Sequence, residues 1–154
     1  MIEDSEDSAK EELKRADHLV YITLKYTRTV DVIKNTIKRL ISAFDFAILE
    51  LLEFAKKRRK IKEISRMEKL RAEMVREVFP EIKDYIDFYF SLKGIDRAEF
   101  TKKGEYRKNV TLIVMKTPEN FVEVNMDTLK EYFYKTKEFV DFVSEFVKGK
   151  KKIE

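Results

Sequence analysis

The sequence predicts a mainly α protein: an up-and-down bundle of four to five helices with a small β-hairpin before the last helix. Three observations carry this. Apolar residues recur at three- and four-residue steps over residues 30–55 and again over 126–147, the period of one helix face. Between them, residues 110–125 switch to β-type runs around a turn. The 154 residues include only 3 Gly and 2 Pro, so little interrupts the helices. A chain of this length buries a sizeable core as a single domain, taken as 1–154.

The first apolar segment runs from about Ser8 to Tyr26, with Leu13, Ala16, Val20 and Leu24 at helical spacing. Val20, Ile22, Leu24 and Tyr26 would equally line one face of a strand. Helix is favoured because the helix-forming stretch 9–17 leads straight into it. Residues 1–8 are expected to fray. Thr29 is the expected N-cap of the second helix, and Asp31 meets its positive end. That helix carries Val30, Ile33, Ile37, Leu40, Phe44, Ile48, Leu51 and Ala55 on one stripe and is placed at the centre of the core.

A third helix is read from Glu63 to Phe79 through Ile64, Met67, Leu70, Met74 and Val78, ended by Pro80. Residues 80–93 form a fourth, stopped at Gly94. Asp96 and Glu99 have capping-box spacing, which predicts a short helix ending near Gly104. The hairpin pairs 110–115 with 121–125 through a turn at 116–120. Asn125 then caps a last helix to about Lys148, leaving 149–154 as a basic tail. Its stripe of Met126, Leu129, Phe133, Thr136, Val140, Val143 and Val147 is accompanied by Tyr132, Phe139, Phe142 and Phe146. That second apolar row exceeds what one helix partner requires and points to a homodimer.

Composition narrows the chemistry. With no Cys there is no thiolate metal site, cluster, disulfide or cysteine nucleophile. One histidine excludes a multi-histidine metal site, and three glycines leave no Gly-rich phosphate loop. No cofactor and no metal are expected. The acidic N-terminus lacks signal-peptide character, and no stretch approaches the ~18 apolar residues of a membrane helix; a cytoplasmic protein is expected. Lysines number 23 and arginines 10, facing 29 acids with no Gln. High Lys and Glu with few thermolabile amides is the composition of heat-adapted proteins.

Charge is unevenly spread. Residues 1–12 hold six acids against Lys10, a net of −5, so the remainder carries +9 where the whole chain is +4. The densest basic run is Lys56, Lys57, Arg58, Arg59, Lys60 and Lys62. Engaged by RNA or another polyanion, it would release counterions and give steep salt dependence. As the end of a helix it equally suits solvent, since cations are favoured there.

Other residues carry weaker signals. His18, beside Asp17, reads as a surface or structural histidine, because adjacent helical residues do not face each other. Asp45 and Asp87 interrupt apolar stretches and read as the wet edges of helices, since buried Asp is rare unless paired. Arg28, Asp31 and Asn35 lie between two apolar runs, where they serve either a small polar site or a turn, a cap and a helix start.

The run Glu105-Tyr106-Arg107-Lys108-Asn109-Val110, with long helices before it and the 126–147 helix after it, resembles the HEPN superfamily of helical bundles. That resemblance spans roughly 9–147. It implies a dimer-forming domain, in many members a metal-independent ribonuclease and in others the partner of a minimal nucleotidyltransferase. The family's catalytic signature is an Arg followed, after a spacer of about four to six residues, by His. Arg107 matches the arginine and Asn109 is polar nearby, but Leu112, Ile113 and Val114 stand where the histidine belongs. The expected function is therefore a non-catalytic binding or assembly module, taking RNA or an acidic partner through residues 56–62. Arg28, Asp31, Arg107 and Asn109 form a second candidate polar site. The alternatives are a divergent HEPN-like ribonuclease or toxin-type enzyme and a protein-only partner subunit.

Overall fold

The computed structural model describes the backbone of residues 2–153 and the side chains of 4–149. Among these residues it has five helices and a three-stranded antiparallel sheet before the last helix. Helix α1 is Ile2–His18 and runs on through a π-helical turn, Leu19–Thr23, and a last α turn, Leu24–Tyr26. It is followed by α2 (Val30–Lys57), α3 (Glu68–Val78), α4 (Lys83–Arg97) and α5 (Met126–Ile153). The strands are β1 (Glu99–Lys103), β2 (Thr111–Thr117) and β3 (Asn120–Val124), ordered β1-β2-β3. No helix among the described residues is long and apolar enough to cross a membrane.

Helix α2 is the axis of the fold. Every residue of its expected stripe is buried, Val30 and Phe44 fully. The Thr29 hydroxyl accepts from the Val32 N–H at 3.3 Å, as an N-cap should. Helices α1, α3, α4 and α5 all pack on α2. Phe44 stacks on Phe139 of α5 with ring centroids 4.8 Å apart and meets Tyr89 of α4 at 5.6 Å. Phe146 meets Phe54 and Phe79 edge-on. Much of the second apolar row on α5 is thus covered within the chain, so it does not require a second copy.

Several expectations change. The favoured helix holds over residues 18–26, yet it carries one π turn, and Val20 and Leu24 are buried while Ile22 is exposed. Within the acidic head, α1 begins at Ile2, and Ser5 donates to Glu53 at 2.5 Å. Glu6 is buried, accepting from the Ser144 hydroxyl and lying 3.2 Å from Lys148 and 3.3 Å from Lys10.

Helix α3 starts at Glu68, not Glu63. Ser65 makes a turn ahead of it, its Oγ accepting from Met67 N and its carbonyl from Arg71 Nε. Met67 and Leu70 are exposed, and Ala72 and Val75 face the core. Gly94 does not stop α4, because buried Ile95 continues the apolar face to Arg97.

The largest correction is β1, where a short helix was expected. All five of its residues are exposed, so it has no apolar signature of its own. It exists because β2 offers a free edge: Glu99 pairs with Met115 and Lys103 with Thr111. Exposed Lys102 and Lys103 on that edge discourage pairing with another chain. The sheet packs on the helices through Leu112, Val114 and Val124. Asn125 caps α5 as expected, its Oδ1 accepting from Thr128 N and Thr128 Oγ1 at 2.9 Å.

Candidate functional site: a basic cleft

Two polar segments far apart in sequence meet at the end of α1. The loop 104–110 is pinned to the α1–α2 junction by its backbone and one carboxylate. Tyr106 N–H donates to the Arg28 carbonyl at 2.6 Å, and Glu105 Oε2 accepts from Val30 N at 3.0 Å. Glu105 thereby supplies a second acceptor to the first turn of α2, where a negative charge is favoured. The loop is tight. Gly104 has φ +68°, and a Cβ there would fall 2.6 Å from Asn109 Oδ1. Tyr106 holds φ +67° without being glycine, a conformation that concentrates at functional sites.

Beside this junction lies a cleft of about 670 Å³, within the range of small-molecule pockets. Its cations are Lys25 and Arg28 from the end of α1 and its loop, Lys108 from the pinned loop, and Lys130 from α5. Asp127 is the one carboxylate among its lining residues. Among the described residues, none of the four cations is in an ion pair. Arg28 Nε is sealed from solvent and has no acceptor among the described residues, a costly state for a donor unless something else supplies one. Asn109, Asn125, Thr111 and Tyr21 add uncharged polar groups. A site with a surplus of three positive charges and an orphaned guanidinium donor is built for an anion, and an arginine fork suits a phosphate or carboxylate in particular.

Tyr21 stands at one wall. Burial first, then its hydrogen bond with Tyr134, pushes its hydroxyl up to about 12, so it remains neutral. Lys130 Nζ lies 5.5 Å from the centre of its ring. The π turn that carries Tyr21 belongs to a class of distortion frequent at functional sites.

Of the residues predicted from sequence, Arg28 and Asn109 meet in this cleft. Asp31 stays in the exposed first turn of α2 and Arg107 is exposed in the loop; neither lines it. Lys25, Lys108 and Lys130 were not singled out, because single lysines 22 or more positions apart form no pattern until the chain is folded.

The basic run is at the far end of α2, about 40 Å away by the helical rise over 28 residues. Lys56 and Lys57 form the last turn, Arg58 Cζ lies 4.8 Å from the Phe54 ring centre, and Lys60 Nζ lies 5.4 Å from that of Phe79. Arg59, at φ +61°, closes a Schellman motif: Lys60 N bonds Ala55 O and Arg59 N bonds Lys56 O. Much of this run is occupied with ending a helix. His18 is exposed, as read from sequence, and lines a separate shallow pocket with Glu11 and Arg39. Asp87 is exposed and pairs with Arg76 at 2.9 Å. Asp45 is not a free, solvated helix edge: it is half-buried, its carboxylate accepts from Tyr89, and burial pushes it up to about 6.

Compared with known proteins, the chain matches no family model, no curated protein and no solved structure.

Proposed function

We propose that this chain is a non-catalytic RNA-binding module whose phosphate contacts are made in the cleft by Lys25, Arg28, Lys108 and Lys130. The observation that carries the reading is the orphaned Arg28 Nε among four cations without ion pairs. The overall charge of +4 favours a polyanionic partner at long range. The cleft lining holds no histidine and one carboxylate, which favours holding RNA over cutting it.

Labelled mixed RNA titrated at about 50 and 200 mM salt tests this. Wild type should bind without shortening the RNA. Lys25→Glu/Lys108→Glu, both at exposed positions, should weaken binding by tenfold or more. It should also reduce the slope of log affinity against log salt concentration by about 0.7 per lost contact. Arg58→Glu/Arg59→Glu, at the far end of α2, should change affinity much less. The reverse ranking would move the site to the basic run.

A second reading, a HEPN-like ribonuclease, draws on the approach of the 105–110 loop to Arg28. It predicts cleavage that disappears in Arg107→Ala without loss of folding.

A further inference from the structure

The cleft does not end at Tyr21. The same residue forms the wall of a second groove between α1 and α5, of about 450 Å³, lined by Leu13, Phe133 and Tyr134 with Lys10, Lys14 and Lys137 along its edges. The two are consecutive along α5. Asp127 and Lys130 face the cleft, and Phe133, Tyr134, Lys137 and Asp141 face the groove, a recurrence at three- and four-residue steps that keeps them on one side of the helix. From Asp127 to Asp141 this track is about 20 Å long by the helical rise.

Its chemistry changes along its length. The cleft is polar and strongly cationic. The groove is more apolar and its charges are closer to balance, with Asp17 and Asp141 among the lysines. Lys137 is held by Asp141 at 2.7 Å and Lys10 lies 3.3 Å from Glu6, leaving Lys14 as the groove lysine outside an ion pair among the described residues. Tyr134 is 56% exposed, an aromatic face turned to solvent rather than spent in the core. Tyr21 joins the halves, its ring meeting Phe133 edge-to-face at 6.0 Å between centroids and lying 5.5 Å from Lys130 Nζ.

A cationic stretch that continues into exposed aromatics is how proteins bind unpaired strands: phosphates follow the charges and bases stack on the rings. A duplex has its bases stacked already and would offer the aromatics nothing. Resting on the cleft reading above, we infer that the ligand is an unpaired RNA strand lying along α5, its phosphates in the cleft and its bases on Tyr21 and Tyr134. A track of about 20 Å suits the lower end of single-strand sites, about four nucleotides.

The test measures anisotropy of one labelled, unstructured RNA of about 12 nucleotides, alone and annealed to its complement, at about 50 mM salt. The proteins are wild type, Lys25→Glu/Lys108→Glu, Tyr134→Ala and Lys14→Glu, each with its melting temperature as a folding check. Wild type should prefer the single strand by tenfold or more. Tyr134→Ala should lose about fivefold or more on the single strand, the weak end of base–aromatic stacking, and nothing on the duplex. Lys14→Glu should lose several-fold on the single strand, whereas the cleft variant should weaken both. Groove variants that bind like wild type while the cleft variant fails would overturn the track and leave the cleft standing. Displacement of the RNA by polyglutamate at equal charge would overturn it too, because charge alone would then suffice. Wild type that binds neither RNA would sink the cleft reading itself.

Discussion

Asp45 shows how one half-buried carboxylate ties three helices together at a cost. It lies on α2, accepts from Tyr89 on α4, and feels Glu68 and Arg71 on α3 and Lys93 on α4. Burial raises its titration to about 6, only partly opposed by the Tyr89 bond, while the Tyr89 hydroxyl is pushed far above its ordinary value by burial and by Asp45. Lys93 bridges the cluster, 3.3 Å from Tyr89 and 3.5 Å from Glu68. The sign follows from linkage. The folded protein holds this proton more tightly than the unfolded chain, so the contribution is complete below about 4 and is lost as pH rises through about 6. Asp45→Asn, which keeps an acceptor for Tyr89, should therefore raise the melting temperature by a few degrees at pH 8 and not at pH 4. Calorimetry at the two pH values decides it; destabilisation at pH 8 that vanishes at pH 4 would mean that the charged form is the one the fold favours.

Among the elements, the C-terminus of α2 most directly separates a structural role from a binding one. Arg59 occupies the left-handed position of a Schellman motif that glycine usually fills. A side chain with a Cβ is strained there, so Arg59→Gly should stabilise the protein by about 0.5–1 kcal/mol. At roughly 2–4 °C per kcal/mol for a chain of this size, the gain is visible in a thermal melt. The same variant should leave RNA affinity nearly unchanged if the run serves chiefly to end the helix. The N-terminus of α2 has the opposite character: Thr29 and Glu105 both accept from its first turn. The cap that starts the central helix is thus also the anchor that sets the cleft loop in place.

At the scale of the whole molecule, the chain ends are joined through Glu6. It is near the start of α1, and its partners Ser144 and Lys148 are near the end of α5. Burial raises its titration, but hydrogen bonds from Ser144 and Lys148, with Lys10 nearby, outweigh that and hold it below its ordinary value. Here the contribution is present above the unfolded value near 4.5 and is lost as pH falls through the folded one. Glu6→Gln should lower the melting temperature at pH 7 and converge on wild type in acid. A melting series from pH 3 to 7 checks this, and a constant offset across the series would show that packing, not charge, joins the ends. Together Glu6 and Asp45 pull in opposite directions with pH, so both variants must be followed across the same range.

Periodicity, with helix propensity deciding the first segment, determined the five helices, their order and the buried stripe of α2. A helix face repeats every 3.6 residues whatever lies against it, and caps such as Thr29 and Asn125 act within three residues of themselves. Strand β1 was illegible because its residues are exposed and only the edge of β2 makes them a strand. The acidic head read as loose because Ser144, which holds Glu6, lies 138 residues away. Two of the four residues that the sequence suggested for a polar site, Arg28 and Asn109, line the cleft; both stand out as polar residues beside turns. The lysines that complete the cleft did not, since Lys25, Lys108 and Lys130 become neighbours only when loop 104–110 docks on the α1–α2 junction and α5 folds back beside α1. Local interactions act between near neighbours and leave a pattern in the chain; a charged cleft is a sum over residues that only the tertiary fold brings within reach of one ligand.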